Sequence, residues 1–216
     1  MFFFKITNKD GFARAGVFLS PHGEVQTPCF MPVATTASVK LLTSEEVKSL
    51  GFDAIILNAY HLYLRPGLEI IENSGGIHEF MNWHGLAITD SGGYQMFSLP
   101  GSKIDENGII LKAPESGAKY YFTPEKMVEI EQKIGADIIM CLDYCPKIWD
   151  NVNEIKTSVH RTIAWAKRCS VAHLQKKQQL WGIIQGGTDI NLRKICLENL
   201  ENLSFPGYGI GGLSIG

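Results

Sequence analysis

The sequence predicts an α/β protein whose parallel strands form an incomplete (β/α) barrel of about six strands. Three observations carry this. Strand-length apolar runs alternate with helical stretches along the chain. The runs are continuously apolar, as strands covered on both faces must be. No glycine-rich phosphate loop follows the first run, which favours a barrel over a doubly wound sheet, the alternative that the same pattern leaves open.

Taken in order, Phe2–Thr7 and Ala13–Leu19 flank Asp10-Gly11 and predict an amino-terminal β-hairpin. Thr27–Val33 is the candidate first core strand. Thr43 or Ser44 caps a helix that carries Glu45 and Glu46 in its positive first turn and closes at Gly51. Ala54–Leu57 is a buried strand ending in Asn58. Leu68–Asn73 is a short helix between Arg65-Pro66-Gly67 and Gly75-Gly76, and residues 86–89 form a strand ending in Asp90. Residues 100–121, rich in Gly, Pro and charge, predict an inserted hairpin or lid. Thr123-Pro124-Glu125 is a cap, a first-position proline and a first-turn acid, opening a helix to about Ile134. A strand over Asp137–Leu142 ends in Asp143, and a long helix covers Val152–Leu174. Leu180–Ile184 is a strand ending in Gln185, Asn191–Leu200 a helix, and Tyr208–Ile210 a last strand before Gly211-Gly212.

At 216 residues the chain fits a single domain, 1–216. It is 45% hydrophobic and 19% charged, which excludes disorder, and the net charge of −2 confines any polyanion site to a local patch. No apolar run reaches spanning length, and Met1–Phe4 is too short before Lys5 for a signal-peptide core. The expectation is a cytoplasmic protein without a membrane partner. Five cysteines without a Cys-x-x-Cys predict neither disulfides nor a metal site within these residues. Gly207-x-Gly209-x-x-Gly212 matches a dinucleotide fingerprint but lacks the helix and distal acid that it requires.

The stretch Ala87–Ser98 is the most chemical. An apolar run delivers Asp90, then Ser91, Gly92-Gly93 and Tyr94, where the glycines permit a tight turn or close approach. In a parallel barrel the residues at strand ends converge on one face. Here they are Asn58, Asp90, Asp143, Gln185 and Gly212. The plain alternative is structural: Asp143 as a helix cap, Gln185 on loop amides, Asn58 in a turn. As a site, the set suits a flat base. Asp143 accepts a ring N–H and an exocyclic amine, Gln185 and the Gly212 backbone donate to a carbonyl, and Tyr94 covers the face. Asp90 then remains for acid, base or nucleophilic work.

These residues resemble the amino-terminal part of the tRNA-guanine transglycosylases, or queuine tRNA-ribosyltransferases. The matching motifs are Asn58-Ala59-Tyr60-His61-Leu62 with Arg65-Pro66-Gly67, Thr89-Asp90-Ser91-Gly92-Gly93-Tyr94-Gln95, and Thr123-Pro124-Glu125. Asp143 with Cys145, Gly182–Gly187 and Gly207–Leu213 follow in order. The resemblance implies a (β/α)8 TIM-type barrel with a zinc subdomain. It implies exchange of wobble guanine in the tRNA anticodon loop for preQ1 or queuine, through a covalent ribosyl–enzyme intermediate. By it, Asp90 is the catalytic acid/base and Asp90, Ser91, Gly92, Gly93, Tyr94, Asp143, Gln185 and Gly212 bind substrate. Asn58, Cys145 and Leu213 are supporting residues. A homodimer or a complementing carboxyl-terminal chain is the expected partner.

The sequence departs from the family in two ways. The nucleophilic aspartate and the Cys-x-Cys-x-x-Cys…His zinc set would lie beyond Gly216. The expectation is therefore a truncated or split chain with no cofactor of its own, inactive alone. Tyr144 stands where the family usually has Glu, while Cys145 and Ile215 lean towards preQ1. Lys156, Arg161, Lys167, Arg168, Lys176 and Lys177 read more readily as a solvated helix face than as a phosphate footprint. The competing functions are a non-catalytic subunit that keeps the pocket or a dimer surface, and another barrel enzyme. The latter would require a strand-end His-x-His or lysine, and neither occurs.

Overall fold

The computed structural model describes residues 1–112, 117–147 and 150–213. The chain opens with an antiparallel meander, β1 (Phe3–Asp10), β2 (Ala13–Ser20) and β3 (Gly23–Thr27). The predicted hairpin is therefore a three-stranded sheet, whose third strand takes the beginning of the expected first core strand. The remainder of that stretch, with Pro28 and Pro32, contributes only a parallel bridge from Val33 to Ile56. Prolines have no N–H to donate to a ladder, so pairing survives only where Ile56 N–H meets the Pro32 carbonyl and Ala34 N–H meets that of Ile56.

The central sheet is parallel, in the order β11-β10-β9-β5-β4. Its strands are β4 (Ala54–Asn58), β5 (Leu86–Asp90), β9 (Ile138–Met140), β10 (Gln179–Ile184) and β11 (Tyr208–Ile210). The expected six strands are thus five and a bridge. The fourth expected strand is shorter than 137–142, although Cys141 N–H still reaches the Trp181 carbonyl at 2.9 Å. Strands alternate with α1 (Ser44–Ser49), α2 (Ala59–Leu64), α3 (Leu68–Asn73), α4 (Ile77–Met81), α5 (Gly93–Ser98), α6 (Pro124–Ile134), α7 (Val152–Ala172) and α8 (Ile190–Glu201). The short α2, α4 and α5 are absent from the sequence reading.

Period-two alternation divides the strand side chains between two faces. Ile55, Leu57, Ala87, Ile139 and Cys141 pack against helix residues such as Val47, Ile71, Met127 and Trp165. Ala54, Leu86, Ile88, Ile138 and Met140 face the other way, where Val25, Phe2 and Phe18 of the meander and its flank cover them. The second face is the one that continues from Leu86 and Ile88 to Asp90.

Helix starts follow their caps. Thr43 caps α1 in a reciprocal pair with Glu46, and Asn151 caps α7 with Glu154 in the same way. Thr123 accepts the Lys126 N–H and Pro124 occupies the first turn of α6. Along α7, Ser158, Thr162, Trp165, Ala166 and Cys169 are buried at helical spacing.

The inserted segment is an antiparallel sheet of β6 (Lys103–Ile104), β7 (Ile109–Lys112) and β8 (Lys119–Phe122). The long helix α7 fastens it. Trp165 Nε1 donates to the Glu106 carbonyl at 2.9 Å and Arg161 pairs with the Glu106 side chain at 2.8 Å. Arg168 forks onto Glu125, 2.7 Å to each carboxylate oxygen. Arg161 and Arg168, two of the six cations read from the sequence as a solvated helix face, are therefore tied to acids distant in sequence. Among the described residues, no helix is long and apolar enough to cross a membrane.

Candidate functional site

The carboxyl ends of the parallel strands meet around a pocket of about 320 Å³. It is lined by Asp90, Ser91, Gly92, Gly93 and Tyr94 from the β5–α5 turn, together with Asp143, Cys145, Gln185 and Gly212. Gln95, Ile183 and Gly211, which fall in the matching motifs but are not among the expected site residues, also line it. Asn58 stands behind the wall, and Leu213 lines an adjoining crevice with Lys147 and Ile155.

Asn58 and Asp90 end neighbouring strands in direct register. The Asn58 side-chain oxygen accepts the His61 N–H at 3.0 Å as the cap of α2. That contact fixes the orientation of the amide, so its nitrogen must point the other way. It donates to Asp90 Oδ1 at 2.8 Å, and the Gly92 N–H reaches the same oxygen at 2.7 Å. One carboxylate oxygen is thus held twice, while the group lies part-buried at the pocket wall. Burial is the largest influence on Asp90 and raises its pKa to about 7. The Gly92 N–H opposes this, and the neighbouring Asp143 charge adds to it.

Gly92 is required here. Its φ is +74°, and a Cβ would lie 2.5 Å from the Tyr60 Cβ and 3.0 Å from Asn58 Oδ1. Ser91 and Gly93 are buried, and Tyr94 stands at the mouth, 42% exposed and edge-on to Phe97 at 5.4 Å.

Across the pocket, Gln185 Nε2 donates to Asp143 Oδ2 at 2.6 Å, with both side chains buried. Burial raises the Asp143 pKa to about 6, and the Gln185 contact moderates the rise. Among the described residues, Gln185 Oε1 has no hydrogen-bond partner. A Cβ at Gly211 would lie 2.4 Å from Gln185 Nε2, so the backbone passes as close to the amide as glycine allows. Cys145 is buried beside these groups, and burial followed by the Asp143 charge pushes its thiol up to about 12. It is a packed, neutral thiol.

Arg193, unmarked in the sequence reading, joins both loops from the first turn of α8. It donates to the carbonyls of Gly187 at 2.8 Å, Ile184 at 3.2 Å and Gly211 at 2.9 Å. No motif marks it, because its role depends on the approach of two loops. The Tyr144 N–H donates to Thr162 Oγ1 at 3.0 Å, and its ring meets Phe97 edge-on at 5.5 Å and the Arg161 guanidinium at 5.2 Å. Ile215 lies outside the described residues.

Chemically, the site offers two carboxylates whose proton affinities lie near neutrality, an amide, close-approach backbone and one open aromatic face. Among the described residues, the only convergent metal-ligand group is His22, His78 and Asp137, at the other end of the sheet and without a cysteine. A zinc ion held by cysteines does not fit these residues.

The family model described as queuine tRNA-ribosyltransferase matches residues 9–216. A queuine tRNA-ribosyltransferase of Gloeobacter violaceus is 47% identical over all of this chain and 57% of its own length. That of Caldanaerobacter subterraneus subsp. tengcongensis is 50% identical over 94% of this chain and 55% of its own. That of Dehalococcoides mccartyi strain BAV1 is 48% identical over 97% and 54%. The chain spans about half the length of these curated relatives.

Proposed function

Because the chain belongs to the queuine tRNA-ribosyltransferase family, we propose that it carries the base pocket of a tRNA base-exchange enzyme. The reaction replaces guanine at the anticodon wobble position with a 7-deazaguanine, preQ1 or queuine. The observation that carries this reading is the pairing of two perturbed carboxylates, Asp90 and Asp143, around one pocket with Gln185 and two glycine-lined loops. A volume of about 320 Å³ suits a bicyclic base.

In this reading Asp143, once ionised, accepts the ring N–H and exocyclic amine of the base. The remaining Gln185 amide hydrogen and the Gly212 backbone N–H donate to its carbonyl, and Tyr94 closes over its face. Ser91, Gly92 and Gly93 shape the wall against which the base lies. Asp90 takes or returns the proton that the departing and entering bases exchange, a task for which a pKa of about 7 is suited. The nucleotide must leave the anticodon stack to reach the pocket. Asn58 holds Asp90, Cys145 packs beside Asp143 and Gln185, and Leu213 flanks the pocket from the adjoining crevice.

The same reading extends to a (β/α)8 barrel, of which these residues form one domain, to a cytoplasmic setting and to a homodimer or complementing chain. The family zinc belongs with ligands that the described residues do not supply, and no step here passes through it. The test is calorimetric titration of guanine and of a 7-deazaguanine into the chain. Saturable binding that falls by about tenfold or more in Asp143→Ala supports the pocket. Undiminished binding in that variant removes it.

A further inference from the structure

At the opposite end of the sheet three residues far apart in sequence converge. His22 lies in the β2–β3 turn, His78 on α4, and Asp137 immediately before β9. Their ligand atoms all lie within 4.8 Å of one another. His22 Nδ1 is 2.7 Å from Asp137 Oδ1, and His78 Nε2 is 3.3 Å from Oδ2. The two imidazoles are stacked, with centroids 3.5 Å apart. Asp137 and His78 are buried, whereas the His22 side chain is 38% exposed.

Hydrogen-bond direction makes this cluster unusual. His78 Nδ1 lies 3.0 Å from the Trp83 carbonyl, which can only accept, so Nδ1 carries the hydrogen. Nε2 of the neutral ring then presents a lone pair. Among the described residues it has no hydrogen-bond partner, and it faces Asp137 Oδ2, which already accepts the Ala87 N–H at 3.0 Å. Two acceptors therefore face one another in a buried place, a costly arrangement unless something positive lies between them.

We propose that His22, His78 and Asp137 bind a divalent transition-metal ion of the Zn²⁺ class. Imidazole and carboxylate are a suitable donor set for such an ion, and three protein ligands leave a position for water or an outside ligand. The Nδ1–H contact of His78 with a backbone carbonyl is the kind of outer contact that orients metal-bound histidines. A cavity of about 560 Å³, lined by Phe2, Pro21, His22, Asp137, Lys177 and Gln178 among others, opens onto the cluster. Coordination requires the stacked rings to splay until their lone pairs converge, and His22, exposed on a turn, supplies that movement. The inference is independent of the base-exchange reading, since none of the three residues lines the base pocket.

The test uses Zn²⁺ calorimetry and Co²⁺ absorption on the 216-residue chain. Zn²⁺ should bind saturably and raise the melting temperature. Bound Co²⁺ should give visible d–d bands without the thiolate charge-transfer band that cysteine ligation would add. His22→Ala and Asp137→Asn should each weaken Zn²⁺ binding by about tenfold or more. The exposed His22 keeps the test decisive if the buried variant fails to fold. Absence of saturable binding, a thiolate band, or binding unchanged in His22→Ala would overturn the proposal. A stability loss in His22→Ala that Zn²⁺ does not modulate would overturn it as well, leaving a structural clamp held by a proton.

Discussion

Gln185 and Asp143 are joined by a 2.6 Å hydrogen bond between strand ends, with the amide as donor and the buried carboxylate as acceptor. The contact favours the charged form of Asp143 against the burial that raises its pKa to about 6. If the ionised carboxylate receives the N–H donors of a base, affinity should strengthen as pH rises through about 6. Gln185→Leu removes the moderating donor, so the transition should move to higher pH as well as weaken overall. Calorimetry of guanine binding across pH checks both. An affinity indifferent to pH in this range would remove Asp143 from base recognition.

Asp90 gives a stability prediction. The carboxyl titrates at 3.8 when unperturbed and at about 7 in the fold. Between those values the folded state holds the proton that the unfolded chain has lost. Stability therefore falls as pH rises through the window and stays low above it. Asp90→Asn removes this penalty and retains an acceptor for Gly92 and Asn58. The variant should exceed the parent in stability above pH 7 by up to about 4 kcal/mol, less where pocket water solvates the charge. Below pH 4 the two should converge, as chemical denaturation at several pH values would reveal.

Gly92→Ala is expected to damage the site through its backbone. The position needs φ of +74°, and the new methyl would collide with the Tyr60 Cβ at 2.5 Å. Left-handed strain and overpacking together should cost about 2–5 kcal/mol. Relief by backbone movement would draw the Gly92 N–H from Asp90. The Asp90 pKa should then rise further, which carbon-detected NMR titration of the carboxyl would register. A variant as stable as the parent, with an unmoved titration, contradicts the tight-turn argument.

Much of this arrangement was legible because a buried strand announces its own end. Ala54–Leu57 and Leu180–Ile184 are apolar until Asn58 and Gln185, so the change of residue type marks where the backbone leaves the core. The short helices were not legible. Ala59–Leu64, Ile77–Met81 and Gly93–Ser98 each contain fewer than two helical turns, too few for a periodic signal. The first core strand was overread because Thr27–Val33 looks extended, but its prolines deny it a ladder. Arg193 and the His22–His78–Asp137 cluster were invisible for a different reason. Their meaning lies in which loops and turns approach each other, a property that spacing along one chain does not encode.

Arg193 tests whether the loops at the ends of β10 and β11 act as one unit. Its three donors reach carbonyls at Gly187, Ile184 and Gly211, so the guanidinium spans the backbone on both sides of Gln185 and reaches the residue before Gly212. Lysine keeps the charge but lacks the planar fork, and can satisfy these carbonyls only partly. Arg193→Lys should cost about 1–3 kcal/mol of stability through the carbonyls left without a donor. The more informative effect is on binding. With the Gly211–Gly212 backbone released, the pocket loses a preset donor for the base carbonyl, and guanine affinity should fall by about tenfold. The measurement belongs at a temperature where circular dichroism reports the variant fully folded, so that lost binding is not lost protein. Undiminished affinity under those conditions would mean that the two loops hold their positions without the arginine, and that its contacts serve the fold alone.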